Sequence, residues 1–127
     1  MARRGRQLLT EETLYFVTAT IVNFSPVFKD DASCNILVKN IKHYQQKHGF
    51  KIYAYVIMPT HFHWILEVDP QKAFLSAVMR DLKKFSAWDI LDLLAEQGKY
   101  HLLKRFLLPH QKPDGQKRKL WMSRFDD

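Results

Sequence analysis

Apolar and polar positions change period along the chain, and each change marks an element. Residues 14–22 (LYFVTATIV) join aromatic and β-branched side chains in near-alternation, which predicts a strand closed by Asn23, Ser25 and Pro26. From residue 30 to about 48, Ile36, Leu37, Ile41 and Tyr44 recur at helical spacing. Asp and Ser supply N-cap candidates there, and Lys47, His48 and Gly49 supply stop signals. Residues 50–58 (FKIYAYVIM) and 61–68 (HFHWILEV) predict a second and a third strand, and the break at Pro59-Thr60 makes them antiparallel neighbours. Asp69-Pro70 ends the sheet run and caps a second helix with Phe74, Leu75, Val78, Met79, Leu82 and Phe85 on one face. Trp88, Ile90, Leu91, Leu93 and Leu94 continue that helix to Gln97-Gly98. Residues 100–108 predict a short helix stopped by Pro109, residues 112–119 a polar basic loop, and residues 120–125 (LWMSRF) a last strand.

The order β-α-β-β-α-β is the ferredoxin-like pattern, an α+β fold with an antiparallel sheet and helices on one face. At 127 residues the chain suits one domain, 1–127, whose residues 1–12 form a basic arm and a short polar lead-in. No internal repeat is visible. The fold serves many functions, so function must be read from its site.

Charge narrows the partners. Twenty Lys and Arg against thirteen Asp and Glu give +7, and between Lys99 and Lys119 seven basic residues are opposed by Asp114 alone. Arg3, Arg4 and Arg6 form a second cluster. Clustered positive charge implies a polyanionic partner, nucleic acid before anionic membrane, beside the plain reading of a basic protein kept soluble by its charge. The single cysteine, Cys34, excludes an intramolecular disulfide and fits a reducing compartment. No run approaches the roughly 18 to 20 apolar residues of a membrane span, and the N-terminus lacks a secretory apolar region, so the expected location is the cytoplasm.

One feature carries chemistry. His61-Phe62-His63 lies in a predicted strand, where residues two apart share a face with Cα atoms roughly 6.5–7 Å apart, close enough for two imidazoles to converge on one divalent ion. Phe62 and Trp64 then face the helices. Two exposed or core histidines are the plain alternative, since two ligands alone make a weak site. Glu67 shares the face but stands too far along the strand to join His61 in one coordination sphere.

The context Tyr55-Val-Ile-Met-Pro-Thr-His61-Phe-His63-Trp-Ile-Leu-Glu-Val68 resembles the HUH segment of the single-tyrosine transposases, especially the REP-associated tyrosine transposases and related insertion-sequence enzymes. In that family a strand ending in Met-Pro-Asn-His leads into His-hydrophobic-His, and Thr60 departs from the usual Asn. Residues 79–90 resemble the family's helix after the histidine strand, where a Tyr often stands at the position of Phe85. Residues 117–127 resemble its tryptophan-containing segment before the last helix.

The resemblance implies a DNA transposase of the HUH type. His61 and His63 would hold a divalent metal, Mg²⁺ or Mn²⁺ by expectation, with Zn²⁺ also acceptable to imidazole, and the ion would polarise the scissile phosphate. A tyrosine would attack to give a 5′-phosphotyrosine link and a free 3′-hydroxyl that later reverses the step, without a nucleotide cofactor. The substrate would be single-stranded or hairpin DNA, with Arg3, Arg4, Arg6, Lys117, Arg118 and Lys119 clamping phosphates and Arg124 nearer the cut. Trp121 or His110 would stack on bases, or Trp121 would belong to the core. Relatives include monomers and dimers, so a homodimer is one expectation. The family carries its nucleophilic tyrosine, and usually a third ligand, on a helix after the segment that ends here at Asp127. The catalytic tyrosine and that C-terminal helix are therefore expected to be missing. Tyr15, Tyr44, Tyr53 and Tyr55 fall in predicted core elements, and Tyr100 reads as a packing residue of a short helix.

Two other readings remain. A noncatalytic nucleic-acid-binding module would keep the fold and the basic surfaces with idle histidines. A metal-dependent hydrolase acting without tyrosine is weaker, because no general base stands beside the pair.

Overall fold

The computed structural model describes residues 13–108 and 118–123. Strand β1 (Leu14–Thr20), helix α1 (Asp31–His48), strands β2 (Lys51–Met58) and β3 (His61–Glu67), helix α2 (Leu75–Glu96) and the short helix α3 (Tyr100–Lys104) follow in that order. The three strands form one antiparallel sheet in the order β1-β3-β2. The β3 strand is central, paired with β1 on one side and β2 on the other, and its even positions Phe62, Trp64 and Leu66 are all apolar and fully buried on the helical face. These three pack in one core with Val17, Ala19 and Ile21 from the β1 side and with Leu37, Ile41, Val78, Leu82, Ile90 and Leu94 from the two long helices. Each such side chain contributes about 1.5–3 kcal/mol through burial. The helices thus cover one face of the sheet, as the α+β ferredoxin-like reading expects.

Helix α1 starts where the sequence places it. Asp30 has extended backbone and its carboxylate accepts from the Ser33 N–H at 3.0 Å, a side-chain N-cap. The helix ends at Gly49, whose φ of 75° closes the last turn through a hydrogen bond from its N–H to the Gln45 carbonyl. Helix α2 departs from expectation at its start. Asp69 does not cap it; the Asp69 carboxylate accepts from the Gln71 N–H at 2.9 Å and makes a local turn, and the helix begins at Leu75 after Phe74. Phe74, expected on the apolar face of the helix, and Trp88, expected to continue the helix, are 69% and 50% exposed.

Two further corrections concern the sheet. Strand β1 stops at Thr20, and residues Val22–Phe24 form a single 3-10 turn in which Asn23 and Phe24 take positive φ. The expected last strand is reduced to one bridge, Ile21 with Trp121, flanked by hydrogen bonds from Val22 N–H to the Leu120 carbonyl and from Met122 N–H to the Thr20 carbonyl. That bridge lies beside β1 on the edge away from β2, which is where a fourth strand of the pattern belongs. The expected basic arm, most of the basic loop and the end of the last strand lie outside the described residues.

Candidate metal and nucleic-acid site

Alternation along β3 divides its side chains between two surfaces. Phe62 and Trp64 are buried against the helices, and His61 and His63 are half-buried on the opposite face of the sheet. The sheet register then selects their neighbours. His63 faces Thr18 across β1 and Val56 across β2, while His61 faces Thr20 and Met58. The two imidazoles meet edge to face, with ring centroids 4.7 Å apart and planes at 84°. Phe16, 59% exposed two residues along β1 from Thr18, sets its ring edge-on to His63 at 6.1 Å.

Each imidazole is held through the same nitrogen. The Thr18 hydroxyl lies 2.8 Å from Nδ1 of His63, and the Thr60 hydroxyl lies 2.9 Å from Nδ1 of His61. Among the described residues neither Nε2 has a hydrogen-bond partner, so Nε2 is the nitrogen of each ring that could take a ligand. Thr60 belongs to a turn fixed from outside the hairpin, because its carbonyl accepts from the Ile21 N–H at 2.9 Å and the Pro59 carbonyl accepts from the Phe28 N–H at 3.0 Å. Two imidazoles on one face, both with Nε2 available, suit a divalent ion whose other positions are filled by water or phosphate oxygen. Among the described residues no group of three or more His, Cys, Asp or Glu side chains is arranged to hold a metal. Glu67 is engaged elsewhere: it accepts from the Tyr53 hydroxyl at 2.6 Å and lies within 3.4 Å of the Thr13 hydroxyl. That hydrogen bond, with smaller effects of burial and of the Glu67 charge, holds the Tyr53 phenol above its ordinary pKa.

The tyrosines occupy places that differ in part from expectation. Tyr44 is buried, but Tyr53 and Tyr55 are 59% and 52% exposed on β2, and Tyr100 is 62% exposed at the start of α3. Tyr53 is bonded at the Glu67 end of the sheet, about 20 Å of strand from His61. Tyr55 pairs with Trp64 and so lies on the helical side of the sheet. Tyr100 is on α3, whose Leu102 and Leu103 pack against the core.

Of the basic residues expected to meet DNA, Arg3, Arg4, Arg6, Lys117 and Arg124 lie outside the described residues, as does His110. Arg118 and Lys119 are half-buried beside Leu107 and Phe106: Arg118 bridges Leu107, and the Lys119 N–H donates to the Phe106 carbonyl at 2.8 Å. The Lys119 ammonium bonds the Ser123 hydroxyl. Lys83 on α2 joins them. Its ammonium donates to the Met122 carbonyl at 2.7 Å, and burial followed by the Lys119 charge pulls its pKa down to about 8. Trp121 is core, 5% exposed, with its indole N–H donating to the Ser86 hydroxyl at 3.0 Å. Sequence reading missed Thr18 and Lys83, and marked Thr60 only as a departure from Asn beside His61. Thr18 was findable only through strand register, the contact of Thr60 with His61 only through turn geometry, and Lys83 through no local signal.

A sheet with helices on one face and an outward His-hydrophobic-His pair on the other is the HUH type of α+β domain. A family model described as "Transposase IS200 like" matches residues 14–108, so the chain belongs to the IS200-like transposases. Among solved structures it is similar to a REP-associated tyrosine transposase bound to a REP hairpin, with 20% identity and a TM-score of 0.61 over 98% of this chain and 59% of that one. It is also similar to a candidate transposase from Deinococcus radiodurans R1, with 17% identity and a TM-score of 0.62 over 97% of this chain and 82% of that one. The chain thus spans about three fifths of the hairpin-bound transposase. No curated protein sequence matches it. Among the described residues no helix is long and apolar enough to cross a membrane.

Proposed function

We propose that this protein is a DNA transposase domain of the single-tyrosine HUH class, which binds single-stranded or hairpin DNA in the cytoplasm. The observation that carries the reading is the outward pair His61 and His63, each with Nδ1 engaged and Nε2 available, in a chain of the IS200-like family. The hairpin bound by the similar REP-associated transposase supports the substrate class. A divalent ion, Mg²⁺ or Mn²⁺, bound by these imidazoles would polarise a DNA phosphate. Phe16 beside His63 offers an exposed ring on which a base can stack, and Arg118, Lys119 and Lys83 offer phosphates positive charge beside the bridge to β1. Arg3, Arg4, Arg6, Lys117 and Arg124 extend that charge in the sequence.

Residues 1–127 bind DNA without cutting it, because none of their five tyrosines is placed as a nucleophile. Tyr44 is buried, Tyr53 is bonded to Glu67, Tyr55 and Tyr100 belong to the helical side, and Tyr15 packs against the core. Among the described residues β2 is paired on one side only, and its Tyr53, Tyr55, Val56 and Met58 are exposed. This supports a homodimer joined at the β2 edges, which light scattering would detect as twice the chain mass.

The test is a labelled hairpin titrated with the 127-residue chain in a salt series, with Mn²⁺ or chelator, followed by denaturing electrophoresis. Expected are salt-dependent binding, a Mn²⁺-dependent component lost in His61→Ala and His63→Ala, and no covalent adduct. An adduct would overturn the missing nucleophile. Binding indifferent to chelation and to both substitutions would replace the transposase reading with a noncatalytic DNA-binding module.

A further inference from the structure

The two threonine hydroxyls beside the histidines come from different parts of the chain and meet the same ring atom. Thr18 lies directly across the β1–β3 ladder from His63, and Thr60 lies in the hairpin turn before His61. Both stand at hydrogen-bond distance from Nδ1, at 2.8 and 2.9 Å. A neutral imidazole carries one proton, and a cation drawing on the Nε2 lone pair leaves that proton on Nδ1. A hydroxyl can give or take a hydrogen bond; beside Nδ1–H it must take one.

We propose that Thr18 and Thr60 are positioning residues that accept from Nδ1–H of His63 and His61 and so turn both Nε2 lone pairs toward one divalent cation. The inference rests on the metal reading above and adds to it the groups that set ring orientation and protonation site. Both acceptors are rigid. Thr18 is β-branched and sits inside a paired strand, which restricts its χ1. Phe16, two residues from Thr18 on the same face of β1, sets its ring perpendicular to that of His63 at 6.1 Å. Thr60 is held by the Ile21 amide, which donates to its carbonyl, and the preceding Pro59 carbonyl accepts from the Phe28 amide. Removal of such an outer partner typically lowers metal affinity by about 10- to 100-fold.

The experiment uses the 127-residue chain with Thr18→Val, Thr60→Val, Thr18→Ser and Thr60→Ser. Mn²⁺ affinity is read by titration, histidine protonation sites by ¹⁵N NMR of the metal-free protein, and folding by circular dichroism. Expected are Nδ1–H signals for both rings in the wild type, about 10-fold weaker Mn²⁺ binding in each valine variant, and recovery in each serine variant. Wild-type Mn²⁺ binding that valine leaves unchanged, or Nε2–H signals in the wild type, would overturn the positioning role alone. A folded wild type that binds no Mn²⁺ would overturn the metal reading and this role with it.

Discussion

Asp81 clips the end of α1 to the start of α2, and its removal should cost more than any surface charge of the protein. Its side chain is 8% exposed, and Oδ2 lies 2.9 Å from Nε2 of His48, itself 12% exposed. Because a carboxylate only accepts, the His48 Nε2–H is the donor. Arg80 contacts Oδ1 at 3.2 Å and Lys47 contacts Oδ2 at 3.5 Å, but those partners are 69% and 57% exposed. Tyr44 stacks on both His48 and Phe85, so the clip continues into an aromatic stack between the helices. Breaking a buried charged pair costs about 3–5 kcal/mol, and the screening of Arg80 and Lys47 brings the expectation for Asp81→Ala to about 2–3 kcal/mol. For a domain of this size that lowers Tm by about 10 °C. Asp81→Asn keeps an acceptor for His48 and should cost about 1 kcal/mol.

The assay is urea unfolding of wild type, Asp81→Ala, His48→Ala and the double variant at pH 7. A coupling energy of about 1–2 kcal/mol is expected from direct contact. The pH dependence has a definite sign. Burial pushes the Asp81 carboxyl up, but the hydrogen bonds from His48 and Arg80 and the Arg80 and Lys47 charges outweigh it, and the net shift is below 3.8. A carboxylate with a depressed folded pKa stabilises fully above its unfolded value and loses that contribution as pH falls through the folded one. The penalty of Asp81→Ala should therefore shrink below about pH 4. A coupling under about 0.5 kcal/mol, or a penalty that grows on acidification, would refute the clip.

Other outcomes follow from the packing. Trp121→Phe removes the indole N–H that the buried Ser86 oxygen accepts, while the Ser86 hydroxyl still donates to the Lys83 carbonyl at 3.4 Å, and should cost about 1 kcal/mol from the lost bond in thermal or urea unfolding. Gly49→Ala and Gly98→Ala both force alanine into positive φ and should each cost about 1 kcal/mol; Gly49 should cost more, since its new Cβ meets Lys72 Cδ at 3.0 Å whereas Gly98 has open space. Lys83→Gln should flatten stability against pH between about 8 and 10.5. A lysine with a depressed folded pKa opposes folding while protonated, so wild-type stability rises as pH climbs through that window, and paired melts of wild type and variant across it read the difference.

Regular periodicity made most of the fold legible. The 2-residue alternation of His61 to Leu66 assigned both faces of β3, and Asp30 with Gly49 bounded α1 to within a residue. Failures occurred where tertiary contacts override local pattern. Asp69 reads as a helix cap but spends its carboxylate on the Gln71 amide. Apolar Phe74 and Trp88 fit the helical period, yet they stand outside the core. Residues 120–122 read as a strand because they are apolar, but they make a single bridge to Ile21. The histidine pair was legible because its spacing and its face coincide. Thr18 was not, because nothing within β1 says which residue of β3 lies opposite.

The alternation along β3 also separates two kinds of selection. Substitutions at Phe62, Trp64 or Leu66 strike the core, whereas substitutions at His61, His63 or Thr18 fall on a half-buried surface that holds little of the folding free energy. A chain altered at those surface positions is therefore expected to keep its fold.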